Sequence, residues 1–132
     1  MNSKDQKKFY IQEFDITGYT RTTFIIQKKI QRFSNKDSSN RIKLIVELNK
    51  DKTINEKNLQ NKVTKYNLTL SAKVKIINLS STKEINRTFT ARRIYKVEDN
   101  YSATVNNSKD ANNSLIDIIV DEILDQLRIY YN

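Results

Sequence analysis

The sequence predicts an α+β fold: an about four-stranded, mostly antiparallel sheet with two helices packed on one face, in the order β-α-β-β-β-α. Two observations carry this. Residues 65–76 alternate without a break, with Tyr66, Leu68, Leu70, Ala72, Val74 and Ile76 on one side. Lys65, Asn67, Thr69, Ser71, Lys73 and Lys75 take the other. Such alternation marks a strand with one dry face and one wet face. Residues 113–131 instead space Leu115, Ile119, Ile123 and Leu127 four apart, which is one face of a helix.

The remaining elements follow in order. Residues 1–8 are polar and charged and read as a flexible tail on a single domain spanning 1–132. In FYIQEFDIT (9–17), Phe14 and Ile16 share a face while Phe9 and Ile11 fall in the opposite register. A bulge near Gln12–Glu13 reconciles them. Gly18, the only glycine, reads as the exit turn. Phe24, Ile26, Ile30 and Phe33 then form a short amphipathic helix, for which Thr20 or Thr22 could act as the cap. Residues 34–40 are loop. Residues 41–49 alternate again, with Ile42, Leu44, Val46 and Leu48 inside.

Residues 50–62 show no period and few apolar groups, so a mobile loop is expected there, and a second one at 99–110. Residues 85–97 form the last strand, with Ile85, Phe89, Ala91, Tyr95 and Val97 on one face. The two long strands make a hairpin whose register can be set by matching faces. If residue i meets residue 161−i, Ala72 meets Phe89, Leu70 meets Ala91 and Tyr66 meets Tyr95 inside. Outside, Lys65 then faces Lys96 and Thr69 faces Arg92. Arg93, opposite Leu68, alone breaks the inner pattern and calls for a bulge or a side chain that snorkels past the core.

Bulk composition narrows the function. The 132 residues are 37% hydrophobic, with a net charge of +9, which points to an anionic partner. The charge is uneven: residues 109–132 hold five acids and two bases, leaving ten acids and 22 bases in the rest. An AT-rich coding bias is the competing explanation for the lysine excess. With no Cys and no His, thiolate or imidazole catalysis, disulfides and thiolate zinc sites are excluded. No apolar run reaches the ~18–20 residues of a membrane helix.

Few constellations carry chemistry. Asp117, Asp121 and Asp125 form one stripe of the last helix, but no further ligand stands beside them and a solvated face explains them better. Ile116, Val120 and Leu124 widen that helix's apolar arc, as deep burial or a partner seam would require. A basic sheet can bind RNA when aromatics on its open face stack bases. Here Tyr66, Phe89 and Tyr95 lie inside, so nucleic acid is disfavoured. The glycosylation-type tripeptides at Asn67, Asn78 and Asn86 are expected by chance in so asparagine-rich a chain. No cofactor, metal or catalytic motif is present.

The run KYNLTLSAKVKIIN, then INRTFTARRIYKVEDNYSATVNNSKDANNSLIDIIVDEILDQLRIYY, resembles the lipopolysaccharide-assembly lipoprotein family (LptE). The similarity lies in Lys65-Tyr66 opening a long strand, Tyr95 ending the next, Tyr101-Ser102-Ala103 and Asp110-Ala111 leading into a helix, and Asp125-Gln126-Leu127 near its end. FDITG (14–18) fits the family's opening strand and turn. The resemblance implies a non-enzymatic outer-membrane lipoprotein facing the periplasm. It would plug the large lipopolysaccharide-translocating β-barrel (LptD), assist that barrel's assembly and contact lipopolysaccharide. The family's anchor is a lipidated Cys after a signal peptide; this chain has no Cys, so such an anchor would precede it. Expected contacts for lipopolysaccharide or partner are Lys65, Lys73, Lys75, Arg92 and Lys96, on the wet face of the hairpin. The alternatives are an auxiliary lipoprotein of a lipid-transporting ABC system and, less favoured, a basic nucleic-acid-binding domain.

Overall fold

A computed structural model describes residues 9–131; the tail expected over 1–8 lies outside the described residues. The elements are β1 (Tyr10–Thr17), α1 (Thr20–Gln31), β2 (Arg41–Lys57), β3 (Val63–Asn78), β4 (Glu84–Lys96) and α2 (Tyr101–Tyr130). They form one sheet in the order β1-β2-β3-β4. β1 joins β2 in parallel through α1, and the other two pairings are antiparallel hairpins. Order, strand number and class are those the sequence predicts. The β1 register slips between Ile11 and Glu13, which places the expected bulge at Gln12 and lets Ile11, Phe14 and Ile16 all face inward.

The predicted register of the long hairpin holds from end to end: Lys65 pairs with Lys96, Tyr66 with Tyr95, Leu70 with Ala91 and Ala72 with Phe89. Arg93 stands opposite Leu68 without a bulge. Its guanidinium instead reaches the flank of α2, where Nε donates to Ser114 Oγ at 3.0 Å. The inner stripe of β3 (Leu70, Ala72, Val74, Ile76) is buried against Leu44 and Val46 of β2 and against α2. Phe89 is only half-buried because β4 is an edge strand.

Both expected loops are instead secondary structure. Residues 50–57 continue β2, so this strand has 17 residues and a length of roughly 55 Å. A strand as long as β3 needs a neighbour of equal length to satisfy its backbone, and β2 supplies it although residues 51–57 bury nothing. The hairpin closes at Asn58, whose Oδ1 accepts the amides of Gln60 and Lys62, each at 3.0 Å. Residues 101–110 are the first turns of α2, which is therefore 30 residues long. Asn100 caps it, its Oδ1 accepting from the amides of Ser102 at 2.8 Å and Ala103 at 3.3 Å. The new turns are fastened to the end of β4: Asn107 Nδ2 donates to the Lys96 carbonyl at 3.0 Å, and the Glu98 amide donates to Thr104 Oγ1 at 2.7 Å.

α2 lies over the sheet with a wide buried arc. Leu115, Ile119, Ile123 and Leu127 are fully buried, and Ile116, Val120 and Leu124 nearly so. The second stripe is therefore core rather than a free seam. In α1 the expected stripe is corrected. Thr22, Ile26 and Ile30 are buried, whereas Phe24 is 63% exposed, since two residues' separation from Ile26 turns it about 200° away. Phe33 lies beyond the helix and is also exposed. Neither Thr20 nor Thr22 caps α1. Gly18 turns the chain so early that Tyr19 becomes the cap residue, without a side-chain cap bond, and both threonines fall inside the first turn. Phe9, just before β1, packs on Tyr131, just after α2, with ring centres 6.4 Å apart.

Two substitutions test this packing. Ile119→Asp buries an unpaired carboxylate under the sheet and should cost about 3–5 kcal/mol in a denaturant titration. Gly18 has φ +136°, and a Cβ there would stand 2.9 Å from Leu48 Cβ. Gly18→Ala should therefore cost about 1–3 kcal/mol despite being exposed.

Candidate functional site

The five expected basic residues do share the outer face of the sheet, but as a strip rather than a pocket. Lys65 and Lys75 are ten positions apart on β3, roughly 33 Å. Lys73 and Lys75 line a shallow groove of about 400 Å³ with Ile45, Glu47, Asn86 and Thr88. Arg92 stands exposed opposite Thr69, and Lys96 sits directly opposite Lys65 at the far end.

The strip is less uniformly positive than its five cations imply, because β1, β2 and the start of β4 bring acids to the same face. Lys43 lies 3.3 Å from Glu13 and 3.8 Å from Asp15. Lys75 pairs with Glu84 at 3.8 Å. In register, Glu47 stands opposite Lys73. Lys65 is answered by Glu56 at 3.7 Å, which offsets the like-charge pairing with Lys96. Glu56 also accepts from Thr64 Oγ1 at 2.7 Å. These two neighbours, Thr64 first and Lys65 second, hold its carboxyl below the ordinary glutamate value.

Reading 50–62 as a loop hid a second basic surface. The inner positions of β2 run Ile42, Leu44, Val46, Leu48, and then change to Lys50 and Lys52. At the head of α1 these two lysines line a cleft of about 640 Å³, bordered by the first turn of α1 on one side and α2 near Lys109 on the other. Lys50 Nζ lies 5.2 Å from the Tyr19 ring centre, and Lys52 Nζ 4.3 Å from that of Tyr66. Burial pushes the Lys50 ammonium below the usual lysine value. The sequence carries no periodic signal for this surface, because residues 49–53 are polar on both faces of the strand.

The aspartate stripe of α2 is solvent-exposed. Asp117 pairs with Lys29 at 3.4 Å and Asp125 with Arg128 at 2.9 Å. Among the described residues there is no group of three metal-ligating side chains, and no helix is long and apolar enough to cross a membrane.

A tall one-sided sheet with one short and one long helix on its dry face is an arrangement found in solved structures. The crystal structure of rare lipoprotein B from Shewanella oneidensis superposes with a TM-score of 0.70 at 13% identity, covering 89% of this chain and 93% of that one. The chain has the fold of rare lipoprotein B. A Caulobacter crescentus protein classed as a lipoprotein matches with a TM-score of 0.62 at 11% identity over 94% of this chain and 90% of its own. Lipoprotein B from Nitrosomonas europaea gives 0.61 at 16% over 93% and 86%. No family model and no curated protein matches the sequence itself. The rare lipoprotein B fold is thus kept here at identities where few side chains coincide.

The hairpin end offers a direct electrostatic test. The carboxyl of Glu56 should titrate below an ordinary exposed glutamate when followed by NMR. Thr64→Val should raise its midpoint more than Lys65→Gln does. Because the folded value is depressed, the contribution of Glu56 to stability is present above the unfolded value and is lost as pH falls through the folded one.

Proposed function

We propose that the chain is the lipoprotein member of an outer-membrane lipopolysaccharide-assembly pair. It acts as plug and assembly partner of an LptD-like barrel, binds lipopolysaccharide and performs no catalysis of its own. The observation that carries this reading is the sheet, three strands of 13–17 residues sharing one wet face, on the fold of rare lipoprotein B. Such a sheet is tall and polar on its open side, as a plug in the polar lumen of a wide barrel must be. Two features of the hairpins also suit a plug. They end in tight turns closed by Asn58 and Asn78, and their full length is paired. The reading places the protein at the periplasmic face of the outer membrane, held by a lipidated Cys that is not part of this chain.

On this reading the outer strip of Lys65, Lys73, Lys75, Arg92 and Lys96 meets the phosphates of lipopolysaccharide or acidic groups of the barrel wall. Lys73, Arg92 and Lys96 carry the contact best, since Lys65 and Lys75 already have carboxylate partners. Replacing Lys73, Lys75 and Arg92 together by Gln should leave the fold intact, each change staying within about 0.5 kcal/mol. It should weaken lipopolysaccharide binding, most clearly at low salt, where exposed charges are least screened. Equal binding by variant and parent under those conditions would remove the strip from the reading. Failure to co-purify with an outer-membrane barrel when both are expressed would remove the plug.

A further inference from the structure

The cleft at the head of α1 has the features of a ligand site and is separate from the outer strip. Its volume of about 640 Å³ is that of a small-molecule pocket. Ile25 and Leu68 contribute apolar wall, and Arg21 of α1, Lys50 and Lys52 of β2 and Lys109 of α2 contribute four cations from three elements. Asp51 is the one acid among the lining residues. None of the four cations makes an ion pair among the described residues, unlike Lys43, Lys65 and Lys75 on the outer face.

The placement of Lys50 and Lys52 is what makes the cleft unusual. They hold inner positions of β2, in register with Leu70 and Leu68, where the strand's own pattern puts apolar side chains. Both are held there by neutral groups: Tyr19 and Thr22 Oγ1, the latter at 3.4 Å, for Lys50, and the Tyr66 ring for Lys52. Among the described residues, half-buried Lys50 lacks a counter-charge, and exposed Lys52 beside it adds a second unpaired cation, so the site is short of an anion. The first turn of α1 adds to this shortage, having neither a side-chain cap nor an acidic residue. We infer that this cleft binds a phosphate ester of about sugar-phosphate size, its phosphate between Arg21, Lys52 and Lys109 and its body against Ile25 and Leu68. The phosphate could belong to a soluble compound or to a lipid headgroup at a membrane surface. The inference stands whether or not the outer strip binds lipopolysaccharide.

The test follows backbone amide shifts of the full chain by NMR while inorganic pyrophosphate is added. In a parallel arm, vesicles of phosphatidylcholine with or without phosphatidic acid replace the pyrophosphate. Shifts confined to the surroundings of Thr22, Lys52 and Asn113 are expected. The variant Arg21→Gln/Lys52→Gln/Lys109→Gln keeps the half-buried Lys50 and should lose about tenfold in affinity, the sum of three exposed charge contacts. The outer-strip variant at Lys73, Lys75 and Arg92 should bind as the parent does. A response in the phosphatidic acid arm alone, lost in the cleft variant, assigns the site to lipid phosphate. Silence in both arms, shifts centred on Lys73 and Arg92, or parental affinity in the cleft variant would overturn the inference.

Discussion

Leu70, Ala72, Val74 and Ile76 stand on one side of the central strand β3, and covering that side places every other element. β3 is paired along both edges, so its backbone is satisfied and its inner stripe is the most shielded part of the sheet. At roughly 25 cal/mol per Å² of apolar surface, such a stripe contributes only if something apolar lies on it. α2 does so with Leu115, Ile116, Ile119, Val120, Ile123, Leu124 and Leu127, and α1 packs Ile26 and Ile30 beside it over β1. The opposite face is polar, and among the described residues no element covers it. One-sidedness is therefore a consequence of helix count: two helices cover one face of four strands and no more.

The same shortage divides the inner face. α1 has 12 residues, about 18 Å, and β2 beneath it is about three times as long. Where α1 ends, the inner positions of β2 change from Leu48 to Lys50 and Lys52, and the core gives way to a cleft. The distal third of the sheet is then stabilised by strand pairing, the Tyr66–Tyr95 contact at 5.7 Å and the capped start of α2. The backbone of this polar extension is paired along β3 although residues 51–57 bury nothing.

Likeness to rare lipoprotein B at 13% identity has the same physical origin. In this chain the fold rests on alternation at inner strand positions, a wide arc on the long helix and glycine at one crowded turn. Many aliphatic residues meet the first two demands equally well. Gly18 is the exception, since its positive φ and its approach to Leu48 leave no room for a side chain.

Sequence alone determined the elements that carry their own period: the bulged β1, the inner residues of β2 up to Leu48, all of β3, and the hairpin register that brings Lys65 opposite Lys96. It also put Lys65, Lys73, Lys75, Arg92 and Lys96 on one face, because strand alternation is a local property. Tertiary structure decided what has no local signature. Residues 50–57 are strand only because β3 offers them backbone partners, and residues 101–110 are helix because Asn100 caps them and β4 fastens them. Phe24 looked like core until the buried face of α1 was set by Ile26 and Ile30 against the sheet. The cleft around Lys50 and Lys52 is lined by the extension of β2 and by the first turns of α2. It is formed by residues distant in the chain, and periodicity within one segment carries no information about which other segment will lie across from it.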